Sequence, residues 1–148
     1  MLLMTGENSI RLTVSRSVVD QMVAHAKRDH PDEACGVVAG PEGSDTPERF
    51  VPMVNAARSM TFYEFDSLDL LRLYREMNRR GEEPVILYHS HTATEAYPSQ
   101  TDIAYANEPH AHYVLISTRE CGSADGPVEL RSFRIMDGEV TEEDVEIT

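Results

Sequence analysis

The stretch Val85-Ile86-Leu87-Tyr88 is an apolar run of strand length that leads straight into His89-Ser90-His91. Such a run reads as a buried strand and is far too short to span a membrane. A buried strand needs other elements packed around it, which constrains the chain to a layered domain built on a sheet.

The flanking patterns supply those layers. Residues 10–14 alternate like a short strand. Residues 17–29 carry Val18, Val19, Met22, Val23 and Ala26 at helical spacing, with Ser17 and Asp20 placed like a capping box. Lys27 and Arg28 suit the last turn of that helix, and Pro31 stops it. Residues 35–40 form a small-residue strand, 40–47 a surface loop and 49–54 a second strand. Asp66 caps a helix to about residue 80, with Leu68, Leu71, Tyr74 and Met77 on one side and Gly81 ending it. Residues 92–98 read as a loop and 99–107 as a short helix, followed by strands at 112–117, 129–136 and 139–145. The segment 121–127 is a connection rich in Gly, Ser and Asp. No repeat or boundary interrupts the pattern, so residues 1–148 read as a single α/β domain with a mixed sheet flanked by helices.

Charge and cysteine usage narrow the partners. With 13 basic and 26 acidic residues the net charge is −13, a field that repels phosphate backbones and argues against nucleic acid. The acidic residues at 139–146 read as a solvated terminal segment. Two cysteines and no Cys-x-x-Cys rule out a thiolate zinc knuckle or a dithiol site and suit a reducing compartment. The first seven residues lack the basic and apolar regions of a signal peptide, so the expected location is cytoplasmic, off the membrane.

Histidines at i and i+2 off the end of a strand point the same way, so His89 and His91 converge as a metal requires. Asp102, in the first turn of the helix opened by Ser99, can add a carboxylate. Two imidazoles and a carboxylate form a zinc ligand set that leaves a fourth position open. Zinc brings the pKa of water from about 16 to about 7, and hydrolysis also needs a base, for which Glu33 is the candidate. Ser99 can donate to a developing oxyanion.

Taken singly, each residue has a plainer reading. Ser99-x-x-Asp102 is also a helix cap, Glu33 a surface charge, and Cys35 a small buried hydrophobe. A second copy of the dyad, His110-Ala111-His112, lacks a downstream Ser and Asp and reads as a strand entrance with one exposed histidine, a supporting role near the metal staying open. His25 and His30 read as surface residues at a helix end.

The combination is more specific than its parts. Glu33, His89-x-His91, seven intervening residues and Ser99-x-x-Asp102 resemble the signature of the JAMM (MPN+) metallopeptidases. The chain resembles neither His-Glu-x-x-His zincins nor zinc deaminases, whose further motifs are absent. The resemblance implies a mixed sheet between helices, related to the cytidine deaminase architecture. It implies one zinc ion per chain on His89, His91 and Asp102, with Glu33 as acid/base and Ser99 at the oxyanion. Residues 25–43 and 88–98, with Ala111-His112-Tyr113-Val114-Leu115, resemble an actinobacterial subgroup of the family. Members of that subgroup release a single cysteine from the C-terminal Gly-Gly of a small ubiquitin-like sulfur-carrier protein, in cysteine biosynthesis. Thr94 and Tyr97, in the loop beside the ligands, are then candidates for contacting the leaving cysteine. Three other readings compete: a peptidase that processes or deconjugates another ubiquitin-like protein, a non-catalytic MPN interaction module, and a cysteine hydrolase built on Cys35.

Overall fold

The computed structural model describes residues 11–61, 63–121 and 126–148. The chain start, Ile10 of the first predicted strand and most of the 121–127 connection lie outside these residues. Helix α1 spans Arg16–Asp29. Its cap is Ser15 and not Ser17: the Ser15 hydroxyl accepts the Val18 N–H at 3.2 Å, and Ser15 has the extended backbone (φ −71°, ψ 152°) that a cap needs. Asp20, read as the partner of Ser17, instead lies 3.9 Å from Arg16.

Around α1 are strands β1 (Arg11–Val14), β2 (Cys35–Pro41), β3 (Arg49–Met53), β4 (Glu82–His91), β5 (His112–Ser117), β6 (Glu129–Met136) and β7 (Glu139–Ile147). They form one seven-stranded mixed sheet in the order β1-β7-β6-β5-β4-β2-β3. Strand β4 is longer than its apolar run and pairs antiparallel with β2 and parallel with β5. The parallel crossover from β4 to β5 carries the short helix α3, Gln100–Tyr105.

Side chains of β4 alternate between two cores. Ile86 and Tyr88 pack with Val19, Met22 and Ala26 of α1 on one face. Leu87 packs on the opposite face, toward the cluster of Cys35, Val37, Leu73 and Met77. Each fully buried side chain of this size contributes about 1.5–3 kcal/mol, so both faces are strongly held in register. His89 and His91 continue the odd-numbered face. Gly36 serves the same packing, since a Cβ there would collide with the Tyr88 ring.

Helix α2 spans Ser67–Arg80, with the Asp66 side chain accepting the Asp69 N–H and Gly81 closing the helix at φ 69°. Its buried side is Leu73 and Met77, whereas Leu68 and Leu71, read as part of the same stripe, are 53% and 48% exposed. The helix is rotated so that these two leucines face outward.

Two surface assignments are overturned. His25 is buried, with Nδ1 2.7 Å from the Tyr88 hydroxyl and Nε2 3.1 Å from Asp29. The acidic tail is strand β7, flanked by β6 and β1 as the predicted strand at 139–145 requires, and Glu139, Glu142, Asp144 and Glu146 are solvent-exposed as read, with one acidic residue as the exception. Its Glu143 is buried, accepting from the Ser132 hydroxyl at 2.7 Å and contacting His112 at 2.5 Å. His112 also meets Asp45 at 2.7 Å, so it is a buried tie between loop and sheet at the opposite end of β5 from the candidate site, while His110 is exposed. No helix among the described residues is long and apolar enough to cross a membrane.

Candidate active site

The site begins with strand register. Cys35 lies opposite His89 in the β2–β4 pair, and Ser90 continues the pairing one step further. The Ser90 N–H donates to the Ala34 carbonyl at 2.9 Å, and the Ser90 hydroxyl accepts the Ala34 N–H at 2.8 Å. Carried one more residue, the register sets Glu33 across from His91, on the same face. The Glu33 backbone is held from the other side as well. Its N–H donates to Ser59 at 2.8 Å, and its carbonyl accepts the Asn55 side-chain amide at 3.0 Å. The Asn55 side-chain oxygen accepts from the N–H groups of Ala57 and Glu64, so one side chain ties these two residues to the backbone of Glu33.

His89, His91 and Asp102 bring one ligand atom each to within 4.8 Å of one another. Nε2 of each histidine lies 3.1 Å from Asp102 Oδ2. Bonds of about 2.0–2.1 Å to a tetrahedral ion put neighbouring ligand atoms about 3.3 Å apart, so these spacings fit a cluster that could hold a metal ion. Nε2 of His89, although near the carboxylate, is buried without a hydrogen-bond partner. An orphaned buried imidazole nitrogen is costly unless something occupies its lone pair, and a metal ion does so. The His91 Nδ1 lies 2.9 Å from the Glu95 carbonyl. A carbonyl only accepts, so Nδ1 carries a proton, and Nε2, 3.1 Å from Asp102 Oδ2, is the nitrogen that a metal would take. Tyr63 stacks on the His89 ring at 4.4 Å between centroids.

Ser99 and Asp102 form a full capping box: the Ser99 hydroxyl accepts the Asp102 N–H at 3.1 Å, and Asp102 Oδ2 accepts the Ser99 N–H at 2.8 Å. The cap and the ligand geometry therefore coexist, because the cap aims the carboxylate at the imidazoles. In accepting the Asp102 N–H the Ser99 hydroxyl keeps its own proton free to donate.

The electrostatics follow from burial. Burial raises the Glu33 carboxyl from its ordinary 4.5 to about 7, Asp102 adding to the rise and His91 opposing it. Burial also works against a charged Asp102, but the two imidazoles and the Ser99 N–H outweigh it and hold that carboxyl well below the usual range. Burial pushes His89 down, toward the neutral form that binds metal. At His91 the same penalty is overcome by Asp102 and the Glu95 carbonyl, and the ring is pushed up.

A cavity of about 920 Å³ opens beside these groups, lined among others by Glu33, Tyr63, His91, Thr94, Ser99 and Asp102. A family model described as prokaryotic homologs of the JAB domain matches residues 15–136, a span that contains all five of the site residues above.

The chain belongs to the JAB domain family.

The CysO-cysteine peptidase of Mycobacterium tuberculosis is 60% identical over 136 residues, covering 92% of this chain and 90% of that protein. The desampylase of Haloferax volcanii is 32% identical over 114 residues, covering 74% and 82%. A solution structure of a Desulfitobacterium hafniense protein superposes with a TM-score of 0.76 at 30% identity over 92% of both chains.

In this JAB domain the five motif residues meet, and Thr94 lines their cavity. Tyr97 is placed differently. Its ring packs edge-on against Phe133 at 5.3 Å, with the Arg131 guanidinium 5.6 Å from its centroid, and it is not among the cavity-lining residues. Cys35 is fully buried behind His89, and burial pushes its thiol up to about 12, which removes it as a nucleophile. Ser90, Asn55 and Tyr63 are missing from the sequence reading. Ser90 was readable in part, since the residue between two same-facing histidines must point to the other face, whereas nothing local marks the other two.

Replacing Ser99 with alanine is expected to lower kcat by about one to three orders of magnitude, the usual cost of an oxyanion donor. Steady-state kinetics at matched metal content checks this, and an unchanged kcat leaves Ser99 with its capping role alone.

Proposed function

We propose that this JAB domain is a zinc-dependent peptidase that hydrolyses the amide bond after the C-terminal Gly-Gly of a small ubiquitin-like sulfur-carrier protein and releases a single cysteine. The chemistry is carried by one observation: the buried Glu33 carboxyl stands on the same face as the His89, His91 and Asp102 cluster, at the wall of an open cavity. The substrate class rests on the 60% identity to the CysO-cysteine peptidase.

Zinc held by these three residues supplies a Lewis acid that makes water nucleophilic near neutral pH. Glu33 takes one proton from the attacking water and delivers it to the leaving amine as the C–N bond breaks. A carboxyl balanced near neutrality suits both halves of that transfer. The Ser99 hydroxyl donates to the oxygen that gains charge at the attacked carbonyl. The Glu95 carbonyl and the capping box hold His91 and Asp102 in place, so little rearrangement is needed during the reaction.

A Gly-Gly tail fits this site for a simple reason. Glycines bring no side chains into the cavity, and their backbone groups remain available to pair with strand edges. The net charge of −13 favours a protein substrate over nucleic acid. With only two cysteines the chain carries no disulfide scaffold, which suits a cytoplasmic location. Removal of a ubiquitin-like protein from larger targets is the second reading, favoured by the 32% identity to a desampylase.

Intact-mass analysis of a carrier ending in Gly-Gly-Cys, incubated with the enzyme with and without chelator, tests the proposal. The expected result is loss of one cysteine residue, blocked by chelator. If that carrier stays intact while one joined to a lysine side chain is cleaved, the second reading takes its place.

A further inference from the structure

The loop over His91 is held by three neighbouring strands at three consecutive residues. Strand register aligns His91 of β4 with Ser117 of β5, and Ser117 with Glu129 of β6. Each of the three side chains takes one backbone group of the loop. The Ser117 hydroxyl donates to the Thr94 carbonyl at 2.6 Å. The His91 ring meets the Glu95 carbonyl at 2.9 Å. Glu129 Oε1 accepts the Ala96 N–H at 3.0 Å. Ser117 and Ala96 are buried, whereas the Glu129 side chain is partly open to solvent, so the grip is tightest on the Ser117 side. Arg131 adds to the grip, 3.5 Å from Glu95 and 3.7 Å from Glu129.

We propose that Ser117 and Glu129 are positioning residues for the metal centre: by gripping the loop on both sides of Glu95, they hold the one carbonyl that keeps the His91 proton on Nδ1 and turns Nε2 toward the metal. The inference rests on the reading of His89, His91 and Asp102 as a zinc site. Neither residue touches a ligand atom in the structure. Their effect passes through two backbone groups and one carbonyl, the kind of outer partner whose loss typically weakens metal binding about 10–100-fold.

The test uses the full chain with four substitutions: Ser117→Ala and Glu129→Leu, which remove the grip, and Ser117→Thr and Glu129→Gln, which keep a hydroxyl or an acceptor oxygen. Zinc affinity is measured by competition with a chromophoric chelator. The His91 tautomer is read from ¹⁵N-histidine spectra of the metal-free protein at alkaline pH. The removing pair is expected to bind zinc about 10–100-fold more weakly, to show His91 divided between tautomers, and to keep the wild-type melting temperature without metal. The conservative pair is expected to restore both readouts. Wild-type affinity with a single tautomer in the removing pair would overturn the inference while leaving the zinc site intact. So would a loss of zinc matched by an equal loss of metal-free stability, which makes the grip merely structural. A wild-type protein that binds no zinc would overturn the metal reading itself.

Discussion

Replacing Glu33 with glutamine is expected to lower kcat by about two to four orders of magnitude, the range attributed to a positioned acid/base. Zinc content is expected to stay near one per chain, because Glu33 is not among the three residues whose ligand atoms converge. The amide keeps the side chain's shape and the backbone bonds to Ser59 and Asn55, so the loss belongs to proton transfer. The same substitution has a second, opposite effect on the metal-free protein. The Glu33 pKa is raised to about 7 from an ordinary 4.5, so the folded state binds that proton more tightly than the unfolded chain does. The sign follows from linkage: this carboxyl is best tolerated below pH 4.5, and the folded state loses stability as pH rises through about 7. The difference between the two values is worth about 3 kcal/mol at most. Glu33→Gln, neutral at every pH, is therefore expected to match the metal-free wild type at low pH and to exceed it in stability above neutrality. Urea melts of both proteins across this range decide it. Parallel curves, or a variant that still turns over substrate at the wild-type rate, would remove Glu33 from the acid/base role.

His91→Ala is expected to lose metal and activity together. It removes one ligand of three and strips Asp102 of one of its two imidazole partners. If zinc binding is worth about 10–16 kcal/mol shared over its three protein ligands, the loss is about 3–5 kcal/mol, or about two to four orders of magnitude in affinity. At limiting zinc the variant is expected to behave like chelator-treated wild type, with no turnover and with the lower melting temperature of a protein deprived of its ligand. Addition of excess zinc should restore the melting temperature more than the activity, because Asp102 and His89 still offer a partial site. Tight zinc binding by His91→Ala, measured by elemental analysis after dialysis, would show that the metal sits elsewhere.

Much of this centre was readable before any coordinates. The convergence of His89 and His91 follows from strand alternation, and Ser99 with Asp102 follows from helix capping; both are geometries set within three residues. The helix start at Asp66 and its end at Gly81 were legible for the same reason. Local reading failed where two serines competed for one cap, since Ser15 and Ser17 both suit the role and the extended backbone at Ser15 decided between them. It failed again on α2, where the apolar residues exceed one stripe. Which of them are buried depends on the rotation of the helix against β4, and Leu73 with Met77 won.

Longer-range facts had no local signal. Glu143, read as part of a solvated segment, meets the strand residue His112 in the interior because β7 folds back beside β6. Tyr63 stacks on His89, and Ser117 with Glu129 grips the loop over His91, through pairings of residues far apart in the chain. The ligand types, their spacing and the zinc chemistry they suggest were written in the order of the residues, because a strand and a helix turn have fixed periods. That Glu33 stands across from His91 was decided by the register of β2 on β4. That register is set by the packing of both sheet faces at once, which no short stretch of the chain contains.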